Sequence, residues 1–187
     1  MPVRSLDASA SLRFTYRDLS ECSETWRRTR LENRPQAEET FAAIEALARE
    51  VLDPLVERFG QVTLTYGFAS PALTHAVGRG VAPRLDQHAG HERTAGGELI
   101  CPRLGQAADL IVPSRSSWEV ARFIVDETPF DRLYLYGEDR PVHVSHGPGH
   151  SRAITFVDRS GARPLPRRLS RQAIAELDSG RSASRPG

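Results

Sequence analysis

The chain has 187 residues, 39% of them hydrophobic, a mean hydropathy of -0.43 and a formal charge of +1. That length suits one domain with a buried core. No apolar run approaches the roughly 18 residues of a membrane span, and a near-neutral charge excludes a global electrostatic pull toward nucleic acid. All 25 basic residues are arginine, which fits a GC-rich genome. The N-terminus, Met1-Pro2-Val3-Arg4-Ser5-Leu6-Asp7, lacks a charged-then-apolar leader, so a cytoplasmic location is the expectation. The two cysteines, Cys22 and Cys101, are expected to be free thiols.

Residues 1–12 carry no periodic pattern and are expected to be disordered. Phe14–Leu19 is a short element leading into Glu24–Thr29, and Asn33-Arg34-Pro35 punctuates the chain after it. Residues 36–59 carry Phe41, Ile44, Leu47, Ala48, Val51 and Leu55 at helical spacing, with Pro54 expected to kink or split the helix. Gly60 ends it, and Val62–Tyr66 reads as a strand. Ser70-Pro71 pairs an N-cap residue with a first-turn proline, opening a short helix that stops at Gly78. Residues 79–104 form a long polar stretch of the kind that makes a functional loop or a hairpin insertion.

Further on, Ala107–Val112 reads as a buried strand and Ser117–Glu127 as an amphipathic helix. Asp131–Tyr136 and Pro141–Ser145 read as strands joined by the turn Gly137-Glu138-Asp139-Arg140, and Ala153–Val157 as another. Helices first and strands later predict an α+β fold, with N-terminal helices packed on a small antiparallel sheet. The domain is expected over residues 13–158. Residues 159–187 read as a basic, largely disordered tail with a helical turn or two at Arg171–Leu177, open to an acidic protein partner.

Five of the six histidines fall in two windows. One runs from Asp86-Gln87-His88 through His91 and Glu92, with Asp109 some twenty residues later. The other is Val142-His143-Val144-Ser145-His146-Gly147-Pro148-Gly149-His150. Imidazole and carboxylate in such company suit a borderline-soft divalent cation, zinc above all, with three protein ligands and one open position. Cys101 lies near enough in sequence to be an optional soft ligand. His143 and His146 are expected on one face of their strand, one as a ligand and the other beside it.

The order of these words resembles the zinc D-alanyl-D-alanine carboxypeptidase family, whose fold is shared with the hedgehog signalling domain. The resemblance covers Phe14 to Val157. Phe14-Thr15-Tyr16-Arg17-Asp18-Leu19 is similar to the family's opening phrase, and Asn33-Arg34-Pro35 to its Asn-x-Pro. Leu52-Asp53-Pro54-Leu55 resembles its Leu-x-Pro-Leu, and Tyr66-Gly67-Phe68-Ala69-Ser70-Pro71 its Ser-Gly-Tyr-Arg-Ser-Pro. The family's Ser-x-His-x-x-Gly-x-Ala-x-Asp is split between Asp86-Gln87-His88 and Gly105-Gln106-Ala107-Ala108-Asp109. Phe130-Asp131-Arg132-Leu133 with Val142-His143-Val144-Ser145 is similar to the closing words.

The resemblance implies one zinc ion held by His88, Asp109 and His143. A second register sets Pro102 in the first ligand's place, which would leave Cys101 or His91 to substitute. The family's arginine is Ala69 here, and its catalytic glutamate aligns with Tyr136. Glu138 and Glu92 are then the carboxylates available as general base, and Tyr136 a hydrogen-bond donor to an oxyanion. Arg140, Arg132 or Arg152 could take over the anion clamp, with His146, His150 and Arg152 near the pocket mouth. The insertion 89–103 reads as a lid or as a plain hairpin.

The functional expectation is a zinc-dependent hydrolase for an amide, peptide-type or related small substrate, divergent from the D-Ala-D-Ala enzymes. The alternative is an inactive member of the same fold serving as a binding module. A third reading, a nucleic-acid factor acting through the arginine tail, would show a steep salt dependence.

Overall fold

Six strands form one mixed sheet in the computed structural model, which describes residues 4–78, 82–159 and 163–182. They are β1 (Thr63–Tyr66), β2 (Gln106–Ile111), β3 (Arg132–Leu135), β4 (Val142–His146), β5 (Ala153–Asp158) and β6 (Leu165–Leu169), in the order β1-β2-β4-β3-β5-β6. The α+β class is as expected, but the sheet is not purely antiparallel, because β3 and β5 run parallel. The β3–β4 hairpin folds β4 inward against β2, so the chain leaving β4 must cross to the free edge of β3. It arrives there antiparallel to β4 and therefore parallel to β3.

Strand alternation divides the sheet into two faces. Ala108 and Leu110, Leu133 and Leu135, Val142 and Val144, and Ile154 point into the core. Helix α3 (Glu38–Leu47) and helix α6 (Ser117–Glu127) supply Phe41, Ile44, Leu47, Val120, Ala121 and Ile124 to the same core. The other face carries Asp109, His143 and Tyr134, which the pairing sets side by side across β2, β4 and β3.

Pro54 acts as expected on the long helix, though not by a break. Proline has no N–H to donate, and the chain absorbs the defect as a π turn over Ala48–Leu52 between α3 and α4 (Asp53–Phe59). There the N–H of Asp53 reaches five residues back to the carbonyl of Ala48. Helix α1 (Tyr16–Ser20) is closed by a Thr15/Asp18 capping box, and Ser23 caps α2 (Glu24–Thr29). Ser70 caps α5 (Pro71–Val77), which ends at Gly78 in the left-handed region. No described helix is long and apolar enough to cross a membrane.

Two expectations of irregularity are corrected. Residues 4–12 are anchored: Arg4 bonds Tyr16 and Glu45 and pairs with Glu38, while Leu6 and Ala10 are buried. The supposed tail continues the domain. Strand β6 pairs with β5, and helix α7 (Arg171–Ser182) packs on α6 through fully buried Ile174 and through Arg122–Asp178 and Arg171–Asp126. Its arginine-rich composition conceals the few apolar positions needed for docking. The insertion 89–103 is a small hairpin, bridged between Arg93 and Leu99. Residues 1–3, 79–81, 160–162 and 183–187, on which parts of these expectations fall, lie outside the described residues.

Candidate metal centre

His88 sits in a short 3-10 turn, Gln87–Ala89, whose N-cap Asp86 accepts the His88 backbone N–H at 3.0 Å. Its neighbour Gln87 is fully buried and fastens the turn to the sheet. The Gln87 amide donates to the Leu104 carbonyl (2.8 Å) and to Asp131 Oδ2 (3.0 Å), and its oxygen accepts from Ser145 Oγ (2.9 Å). The His88 ring is set from the other side, with Nδ1 2.8 Å from the carbonyl of Gly67. A Cβ at Gly67 would lie 2.0 Å from the Leu19 carbonyl, so only glycine lets this backbone pass so close. Buried Asn33 holds the same stretch by donating to the carbonyls of Ser20 and Phe68 and accepting from Ser70 N.

With Nδ1 donating to a carbonyl, Nε2 of His88 faces Asp109 and His143, the orientation a second-shell partner gives a metal-binding imidazole. Nε2 of His88 is 3.2 Å from Nδ1 of His143 and 3.3 Å from Asp109 Oδ1, and the last two atoms are 2.8 Å apart. Two ligands bound to one zinc at 2.0–2.1 Å and tetrahedral angles stand about 3.3 Å apart. The three atoms therefore fit one cation. Among the described residues, this buried group could hold a metal ion.

Burial works against a charged His88, but Asp109 outweighs it and pushes the imidazole up to about 9. Burial would likewise raise Asp109, yet His88 and His143 hold its carboxyl well below the usual carboxylate range. Two imidazoles converging on a carboxylate make a place for positive charge, proton or metal.

The cluster opens on a cavity of about 480 Å³, whose walls include Glu24, Tyr66, Asp86, Tyr134, Tyr136 and Arg159. Tyr66 stands edge-on to His88 (4.6 Å between centroids) and Tyr134 to His143 (5.2 Å). The Arg159 guanidinium lies 4.7 Å over the Tyr136 ring. Burial, with the charge of Asp109, pushes the Tyr136 phenol up to about 12, so it is a hydrogen-bond donor at neutral pH.

Of the residues named from sequence, His88, Asp109, His143 and Tyr136 come together and the others do not. Cys101 Sγ faces the Arg84 carbonyl, and His91 Nε2 accepts from Gly105 N–H, so neither replaces His88. Glu92 is corrected as a base. Its buried carboxylate accepts from Gln36 N, Ala37 N and Thr40 Oγ1, fastening the segment that leads into α3 to the helix's first turn. Glu138 lines a separate cavity with Arg115 and Arg140. Arg140 also lines a cavity of about 570 Å³ that shares Asp109, Tyr136 and Arg159 with the metal pocket.

Arg152 donates to the carbonyls of Val125 and Thr128 at the end of α6 and stacks on Phe130. Arg132 stands beside Asp131. His146 does not share a face with His143, because three residues along a strand is an odd interval; it turns toward Glu50 on the helical side. No residue of the insertion 89–103 lines the cavity; Arg103 supports two wall residues by donating to Leu85 O and Tyr134 Oη. Sequence reasoning missed Tyr66, Tyr134, Asp86 and Arg159 as wall residues. Tyr134 alone carried a signal, two residues before Tyr136 on the same strand.

No family model, no curated protein and no solved structure matches this chain. The chemistry of the cluster is what bears on function.

Proposed function

We propose that the chain is a zinc-dependent hydrolase for an amide, peptide-type or related small substrate, built on a fold of the hedgehog/DD-peptidase kind. His88, Asp109 and His143 hold one zinc ion. The observation that carries this reading is the mutual spacing of 2.8 to 3.3 Å among two ring nitrogens and one carboxylate oxygen. Zinc held by three ligands with one open position polarises a carbonyl and brings the pKa of water toward about 7.

The chain's own residues do the rest. Gly67 and Gln87 orient His88. The protonated Tyr136 phenol donates a hydrogen bond to negative charge developing on a carbonyl oxygen. Asp86 and Glu24 are the carboxylates on the cavity wall besides Asp109, and they replace Glu92 and Glu138 as acceptors within reach of the pocket.

A second reading, a binding module of the same fold without catalysis, is favoured by one observation: both carboxylates that sequence offered as base are placed elsewhere. Metal analysis and a panel of amide substrates separate the outcomes. Purified protein is expected to carry one zinc ion at this cluster, lost from it in Asp109→Ala, and to hydrolyse at least one amide at a rate reduced about 100-fold in Tyr136→Phe. Metal without turnover supports the binding module; absence of stoichiometric metal overturns both.

A further inference from the structure

His146 and His150, from the second histidine window, take no part in the cluster around His88. We propose that they form, with Glu50, a second site for a divalent transition-metal ion of the zinc or nickel class, on the opposite face of β4. The Nε2 atom of His146 is buried and makes no hydrogen bond. Buried polar atoms nearly always have a partner, and an orphan marks a place for an ion or a water. That atom lies 3.3 Å from Oε2 of Glu50, again the separation of about 3.3 Å that two ligands take around one zinc.

Glu50 belongs to the π turn Ala48–Leu52, a distortion that recurs at functional positions in helices. Its side chain is 52% exposed, so the carboxylate has room to adjust and one side of the pair stays open to solvent. The third ligand is His150. Its ring centroid is 5.6 Å from that of His146, nearly perpendicular to it. His150 follows Gly147-Pro148-Gly149 and its side chain is exposed; its nitrogens do not converge on the pair in this structure, so the proposal requires the ring to turn toward it. Two imidazoles, one carboxylate and an open position make a donor set that suits zinc and nickel. The site uses no residue of the first cluster and does not depend on the hydrolase reading.

Titration of the full chain with zinc chloride or nickel chloride, followed calorimetrically, tests it. The unaltered chain is expected to bind two equivalents, and Asp109→Ala to keep one. Glu50→Gln and His150→Ala, both at exposed positions, should weaken the remaining equivalent at least about tenfold, and His146→Ala should abolish it. Where Asp109→Ala does not fold, the exposed variants in the otherwise unaltered chain still reduce two equivalents to one. The proposal is overturned if Asp109→Ala binds no metal, or if every equivalent is indifferent to Glu50→Gln and His150→Ala. If the unaltered chain binds a single equivalent, and that one survives Asp109→Ala and is lost with Glu50→Gln, this site is upheld and the hydrolase reading is removed.

Discussion

Burial alone would leave His88 neutral and Asp109 protonated, yet each is held charged by the other, His88 up to about 9 and Asp109 well below its ordinary range. In metal-free protein the raised His88 contributes stability that is complete below its ordinary value of 6.5 and is lost as pH climbs through about 9. The lowered Asp109 contributes stability present above 3.8 and lost as the medium turns more acid. Urea midpoints of chelator-treated protein should therefore fall between pH 6.5 and about 10, and Asp109→Asn should flatten that fall. An equally steep decline in Asp109→Asn would show that another group is responsible. Glu92 makes the contrasting case, a carboxylate spent on architecture. Glu92→Ala leaves two backbone N–H groups just before α3 and a buried threonine hydroxyl without their acceptor, at a cost of about 1–3 kcal/mol. It should lower the unfolding midpoint and leave metal stoichiometry untouched.

At the scale of elements, the ligands are brought together by a turn fastened to a hairpin. Gln87 links the turn carrying His88 to Asp131 beside β3 and to Ser145 on β4, two residues from His143. Gln87→Leu should loosen that spacing and weaken zinc binding by about 10–100-fold, a loss read by competition with a chromophoric chelator. Unchanged affinity would mean that the backbone alone sets the turn. Sequence made much of this level legible. The helical spacing from Phe41 to Leu55, the Ser70-Pro71 start and the apolar run of Ala107–Val112 are local signals, and each element formed where its pattern lay. The cluster was legible because His88 and Asp109 end, and His143 sits within, the short motifs read from the sequence. The role of Glu92 was not, since its partners lead into a helix some 55 residues away and no local pattern reports such a meeting. His146 was misplaced because counting in a strand goes by twos. The C-terminal elements escaped notice because composition averages over the few apolar positions, such as Leu169 and Ile174, that dock them.

The whole molecule closes its sheet with those last elements. Strand β6 covers the edge that β5 would otherwise expose, an edge able to pair with other chains. Helix α7 then holds β6 in place by burying Ile174 against α6. Asp109 and His143 lie on β2 and β4, separated from β6 by β3 and β5. Ile174→Ala removes a fully buried side chain, and such truncations cost about 2–5 kcal/mol. If the domain unfolds as one unit, this loss appears as a single lowered transition in denaturant, with one zinc per chain still held at the first cluster under native conditions. If α7 and β6 come away separately, the same substitution gives an early transition, seen as weakened amide protection over residues 165–182, while the main transition and its zinc stay where they were. Hydrogen exchange on the variant distinguishes the two. The burial of Ile174 within the core shared with Ile124 and Ile154 argues for the single transition.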